Sequence, residues 1–141
     1  MAEPPTQPDL AVAEIETETE FYQGEIIAGT EIKHGTGTLV NKESMTKYVG
    51  SFDHDKKTGD GQLEWINPEE PYAEYMGGFS DGIFEGMGVL LFRDGSTYKG
   101  EFSKGEMREG LRTFKNGDEY CGAFIGGIYD GYGVLKLANG E

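Results

Sequence analysis

A tyrosine, followed two residues on by a glycine and two further on by a phenylalanine or isoleucine, recurs five times in this chain. The copies start at Tyr22, Tyr48, Tyr75, Tyr98 and Tyr120, so successive starts lie 26, 27, 23 and 22 residues apart. The glycines are Gly24, Gly50, Gly77, Gly100 and Gly122, and the apolar residues after them are Ile26, Phe52, Phe79, Phe102 and Phe124. Four copies continue into Gly-x-Gly-x-Leu, at Gly35, Gly37 and Leu39, at Gly59, Gly61 and Leu63, at Gly86, Gly88 and Leu90, and at Gly131, Gly133 and Leu135. A fixed period of this length describes one supersecondary unit that is stable only when stacked on its neighbours.

Both stretches of each copy alternate with period two, the pattern of a strand with one face apart from the other. Asp94-Gly95, Asn116-Gly117 and Asn139-Gly140 divide one copy from the next, and such dipeptides accept positive φ in two-residue hairpin turns. Each copy therefore reads as a β-hairpin joined to its successor by a second tight turn. The predicted fold is all-β: an elongated, single-layer antiparallel sheet of about ten strands in five tandem hairpins. The copies span 22–47, 48–74, 75–97, 98–119 and 120–141.

Glycine ordinarily weakens a strand, so its density here needs a reason. Tyr75, Gly77 and Phe79 fall on one face, as do Gly86, Gly88 and Leu90. Glycines on that face leave room for rings from neighbouring strands to lie flat against bare backbone. Stacked copies then bury a continuous stripe that no single hairpin could bury.

The copies are unequal. Copy one has two more residues between Gly24 and Gly35 than the equivalent stretches, which predicts a longer hairpin tip. Copy two has Asp55 where later copies have Gly82, Gly105 and Gly127, and its segment INPEEPYAE adds a proline-marked loop. Copy four is one residue short and places Arg108 and Arg112 where glycine and leucine stand elsewhere. The last strand reads as a free edge, a template for a homodimer through strand pairing, or as the point where a longer array was cut.

Residues 1–21 carry three prolines and six acidic residues without a basic one, and read as a flexible acidic tail. The whole chain has a formal net charge of −14. Such a charge disfavours contact with nucleic acid or an acidic membrane and favours basic protein surfaces. One cysteine, Cys121, allows no intrachain disulfide, and no apolar run reaches membrane-spanning length. A cytoplasmic protein is expected.

This pattern of Tyr-x-Gly-x-Phe and Gly-x-Gly-x-Leu resembles the MORN family, the membrane occupation and recognition nexus repeats. The resemblance covers residues 22–141 and rests on Tyr22, Tyr48, Tyr75, Tyr98, Tyr120 and on glycines including Gly77, Gly86, Gly88, Gly100, Gly122, Gly131 and Gly133. It implies an assembly or tethering module. Short free-standing members are frequent in cilia, flagella and other cytoskeletal structures, radial-spoke complexes of the axoneme among them. The expected function is a non-catalytic scaffold or adaptor within a multi-subunit complex; the alternative from another class is a phosphoinositide-binding membrane tether.

Catalytic and cofactor chemistry find little material, and neither is expected. Gly-x-Gly is followed by leucine instead of a third glycine opening a helix, and no phosphate-binding Gly-Lys-Ser/Thr loop occurs. DHDKKTGDGQLE puts Asp53, Asp55 and Glu64 at calcium-loop positions one, three and twelve. Lys57 and Thr58 occupy positions five and six, and the flanks read as strands, so no metal is predicted there. His34 and His54 are expected to be solvated at hairpin tips, and Cys121 to be a small packing residue.

A protein-binding surface is the sharper expectation. Met87, Val89, Leu91, Tyr132 and Val134 alternate against the glycine stripe, so copies three and five are apolar on both faces. An exposed patch of that kind would form a groove for a helical peptide, unless the sheet's own twist covers it. Arg108 and Arg112 would steer an acidic guest, or mark decay of the repeat.

Overall fold

The computed structural model describes residues 7–126 and 128–139, the side chains of 128–132 excepted. Among these residues all regular structure is strand: β1 (Leu10–Glu16), β2 (Glu20–Ile27), β3 (Lys33–Asn41), β4 (Thr46–Asp53), β5 (Lys56–Trp65), β6 (Tyr72–Ser80), β7 (Ile83–Phe92), β8 (Thr97–Ser103), β9 (Glu106–Thr113), β10 (Glu119–Ile125) and β11 (Ile128–Lys136). They form one antiparallel sheet in the order β1 to β11, each strand bonded to its neighbours in sequence. The five expected hairpins are β2–β3, β4–β5, β6–β7, β8–β9 and β10–β11.

The eleventh strand is β1, from a segment expected to be part of the flexible tail. Alternation explains it: Ala11, Ala13 and Ile15 pair with Ile26, Gly24 and Tyr22 and pack on the core, while Val12 and Glu14 face the other way. The acidic composition belongs largely to the outward positions, so it does not oppose pairing.

Two rows of paired residues cross the sheet on one face. The first runs Tyr22, Leu39, Tyr48, Leu63, Tyr75, Leu90, Tyr98, Arg112, Tyr120, Leu135. Beside it, from Gly24 to Gly133, every strand contributes a glycine. Each tyrosine lies over the glycine two residues ahead in its own strand and over that glycine's partner within the hairpin: a Cβ on Gly77 or Gly88 would stand 2.9 or 2.6 Å from the Tyr75 hydroxyl. The seat thus lies inside one hairpin. Between hairpins the contact is edge-to-face, Tyr22 to Phe52, Tyr48 to Phe79, Tyr75 to Phe102 and Tyr98 to Phe124, with ring centroids 5.0 to 5.5 Å apart.

The turns differ from expectation in an ordered way. Two-residue tips with positive φ at both positions sit inside the hairpins, at His54-Asp55, Asp81-Gly82 and Lys104-Gly105. Between copies three and four and between copies four and five the turn is one residue longer. The Gly95 N–H donates to the Phe92 carbonyl and the Phe92 N–H to the Ser96 carbonyl, and Gly117 and Phe114 repeat this with Asp118. Only the glycine has positive φ there, because the preceding Asp94 or Asn116 occupies the turn that the glycine closes. Gly140 lies outside the described residues. Copy one has the longer tip expected of it, between Ile27 and Lys33.

Candidate docking face

The tyrosine face of copies two to four carries further apolar side chains beside the buried stripe, most of them half-buried. Trp65 ends β5, the more exposed Tyr72 opens β6, Phe84, Phe92 and Met107 follow on the later strands, and Phe114 comes just after β9. Trp65 meets Tyr72 with centroids 5.3 Å apart and meets Phe84 edge-on at 6.0 Å, and Phe84 stacks on Tyr75 at 3.9 Å. Trp65, Tyr72, Phe84, Leu90, Phe102 and Met107 line a depression of about 330 Å³. The proline-marked loop does not float beside it: Arg93 Nη2 donates to the carbonyls of Trp65, Asn67 and Tyr72 at 2.8 to 3.2 Å, and Nε to that of Glu70 at 3.0 Å. One guanidinium therefore fixes both aromatic residues at the rim.

Arg112 occupies the leucine position of copy four and stays on this face. Its guanidinium lies 3.9 Å from the Phe92 ring centroid and 5.1 Å from that of Phe114, with Nη1 donating to the Thr97 carbonyl at 3.2 Å. A planar cation between two rings keeps the row continuous where an aliphatic side chain is missing. Lys33 and Lys57 extend over Tyr22 and Tyr48 at 5.5 and 5.6 Å, and burial lowers the Lys57 pKa. Lys33 is paired there with Glu20 at 3.3 Å and Asp55 at 3.8 Å, so charges of both signs lie over copies one and two, while copies three and four are aromatic with one arginine.

Each ladder tyrosine donates its hydroxyl proton to the carbonyl three residues ahead, from Tyr22 to Glu25 at 2.5 Å through Tyr75 to Gly78 at 2.8 Å to Tyr120 and Ala123 at 3.0 Å. Burial, joined at Tyr22 and Tyr75 by nearby carboxylates, pushes the Tyr22, Tyr48 and Tyr75 hydroxyls up to about 12. These hydroxyls hold rings in place, and the face offers shape and apolar surface to a guest.

The residues singled out from sequence do not gather into one patch. Val89 lies on the opposite face between Met76 and Lys99; Met87 pairs with Glu101, Leu91 with Thr97, and Val134 with Cys121. Met87 and Val134 are each 70 % exposed and stand on strands that are not neighbours. Arg112 is on the tyrosine face, away from them. Arg108, half-buried, sits where the β8–β9 ladder shifts register. Tyr132 is in β11, but its side chain lies outside the described residues.

Other local expectations change with register. Cys121 is exposed, not packed, because among the described residues that face of the sheet has no second layer to bury it. Asp53 and Glu64 stand at opposite ends of the β4–β5 ladder and cannot close on one ion, while the Asp55 carboxylate accepts the Lys33 N–H at 2.7 Å. His34 is largely covered and meets His54 with ring centroids 4.7 Å apart. Trp65, Phe84, Met107 and Arg93 were not singled out. The signal for the first three was their place beside the tyrosine stripe, and nothing local marked the arginine.

The MORN repeat family model matches residues 48–67, 75–97, 98–119 and 120–141, more than half of the chain. The chain belongs to the MORN repeat family. Hairpin β2–β3, which precedes the matched residues, has the same tyrosine, glycine and carbonyl geometry as the matched MORN hairpins. The chain is also similar to alsin from mouse and human, 30% identical over 94 residues that make up 62% of this chain and 6% of each relative. MORN repeats are non-catalytic interaction modules that engage proteins or membranes.

Proposed function

We propose that this MORN array is a docking module for other proteins, whose tyrosine face seats an amphipathic segment bearing aliphatic and acidic side chains. The observation that carries this reading is the aromatic strip from Trp65 to Phe114, most of it half-buried, held by Arg93 and flanked by Lys57 and Arg112, on a sheet with no second layer among the described residues. A helix fits such a strip because residues three and four apart present one continuous apolar edge. The cationic side chains favour an acidic guest even though the whole molecule carries −14. The assembly we propose is ciliary or otherwise cytoskeletal, in keeping with where short MORN proteins are frequent.

The test is affinity capture with the full chain from a ciliated-cell extract, beside a Trp65→Ala/Phe84→Ala variant whose circular dichroism confirms the sheet. Axonemal or cytoskeletal proteins held by the parent and lost by the variant support the reading. Capture that ignores the two substitutions refutes the face. Sedimentation with phosphoinositide vesicles at physiological salt, absent protein capture, would put a membrane tether in its place.

A further inference from the structure

Two histidines 20 residues apart in sequence meet beside a carboxylate at one rim of the sheet. Gly35 of β3 pairs with Phe52 of β4, so the next residues outward, His34 and Asp53, run side by side. The turn at His54-Asp55, with φ of 46° and 71°, folds the His54 ring back onto them. His34 Nδ1 lies 3.6 Å and His54 Nδ1 2.5 Å from Asp53 Oδ1, and one ligand atom from each of the three residues falls within 4.8 Å of the other two. His34 is 17% exposed, on the wall of a recess of about 440 Å³ that Gln7, Pro8, Leu10 and Phe52 complete.

We propose that His34, Asp53 and His54 bind one divalent transition-metal ion of the zinc class, with solvent in the remaining coordination place. Two imidazoles and one carboxylate suit zinc, copper(II) or nickel(II); calcium and magnesium take oxygen ligands throughout. Bonds of about 2.0 to 2.1 Å set tetrahedral ligand atoms roughly 3.3 Å apart, close to the His34–Asp53 separation. The shorter His54–Asp53 contact opens by rotation of the His54 ring, which is 66% exposed. His54 binds through Nδ1 as the neutral Nε2–H tautomer: the proton between Nδ1 and the carboxylate moves to Nε2 by way of solvent, and the ion takes its place against Asp53. His34 Nδ1 exchanges the His54 backbone N–H, 3.2 Å away, for the metal. Since β3 belongs to the first hairpin and the His54 turn to the second, a bound ion joins two copies of the repeat.

Calorimetric titration of the full chain with zinc chloride, paired with thermal denaturation, tests this. One ion per chain and a raised denaturation midpoint are expected. His34→Gln and His54→Gln should each weaken binding at least tenfold and remove the rise. Cys121→Ser should change neither. His54 is exposed, so its variant keeps the fold and remains informative if His34→Gln does not. Equal zinc binding by parent and both histidine variants, dependence on Cys121, or absence of binding heat would overturn the site. Calcium bound as tightly as zinc would overturn the assigned metal class.

Discussion

The ring of Tyr75 is pinned from two directions, by the glycines beneath it and by the Gly78 carbonyl that its hydroxyl reaches. Gly88→Ala would put a methyl 2.6 Å from that hydroxyl, and the ring can yield only by giving up its hydrogen bond. The expected loss is about 3 kcal/mol, the upper end for overpacking a closed site. Tyr75→Phe keeps the ring and strands a carbonyl, for a loss of about 1 to 2 kcal/mol. Urea denaturation of both variants checks the order, and a Gly88→Ala protein as stable as its parent would show that the ring is not seated there. Alkaline pH attacks the same groups together. With Tyr22, Tyr48 and Tyr75 raised to about 12 from an ordinary 10.0, the unfolded chain gives up these protons first. Their contribution is whole below pH 10 and is lost as pH climbs through 12. Urea midpoints should fall across that window, with tyrosinate absorbance appearing at the unfolding transition.

Within a hairpin, the second strand carries an irregularity that lets both ends of the ladder stay paired. Between Gly77 and Phe79 there is one residue, but between their partners Gly88 and Phe84 there are three. In copy four the matching stretch, from Met107 to Gly110, is one residue smaller. The shortness visible in that copy's sequence is therefore absorbed here, and its Lys104-Gly105 tip remains intact. Gly86, at φ 82°, has open space where a side chain would stand, so its cost on substitution is conformational. Gly86→Ala should lose about 1 to 2 kcal/mol and Gly86→Asn noticeably less, since asparagine tolerates that conformation. Both substitutions at Gly88 should be severe, because the obstacle there is an occupied site. Denaturation midpoints for the four variants decide it. The hairpins themselves were legible because period-two alternation and the Tyr-to-Gly interval survive in every copy. Which glycines bend the chain and which lie under a ring was not, since both occupy the same Gly-x-Gly and only pairing separates them.

Across the whole molecule the sheet has two edges, β1 and β11, among the described strands. β1 covers the ladder of β2 and sets Ala11, Ala13 and Ile15 on the core, while its outer face stays exposed, as befits a capping unit. Removing residues 1–17 should lower the thermal midpoint and, by baring β2, produce concentration-dependent association in sedimentation velocity. An unchanged midpoint with a monomer throughout would mean that β1 contributes nothing as a cap. The alternation LAVAEIE was present in the sequence, but net acidity and nearby prolines outweighed it; a strand this short declares itself only once a partner is in place. The same limit hid the candidate sites. Trp65 and Tyr72 approach through a loop held by Arg93 from 21 to 28 residues away, and His34 meets His54 only in the observed register. Order along the sheet equals order along the chain, and this bears on synthesis. As the polypeptide leaves the ribosome, each new strand finds its predecessor already outside, so the array can grow from its first residues without waiting for its last.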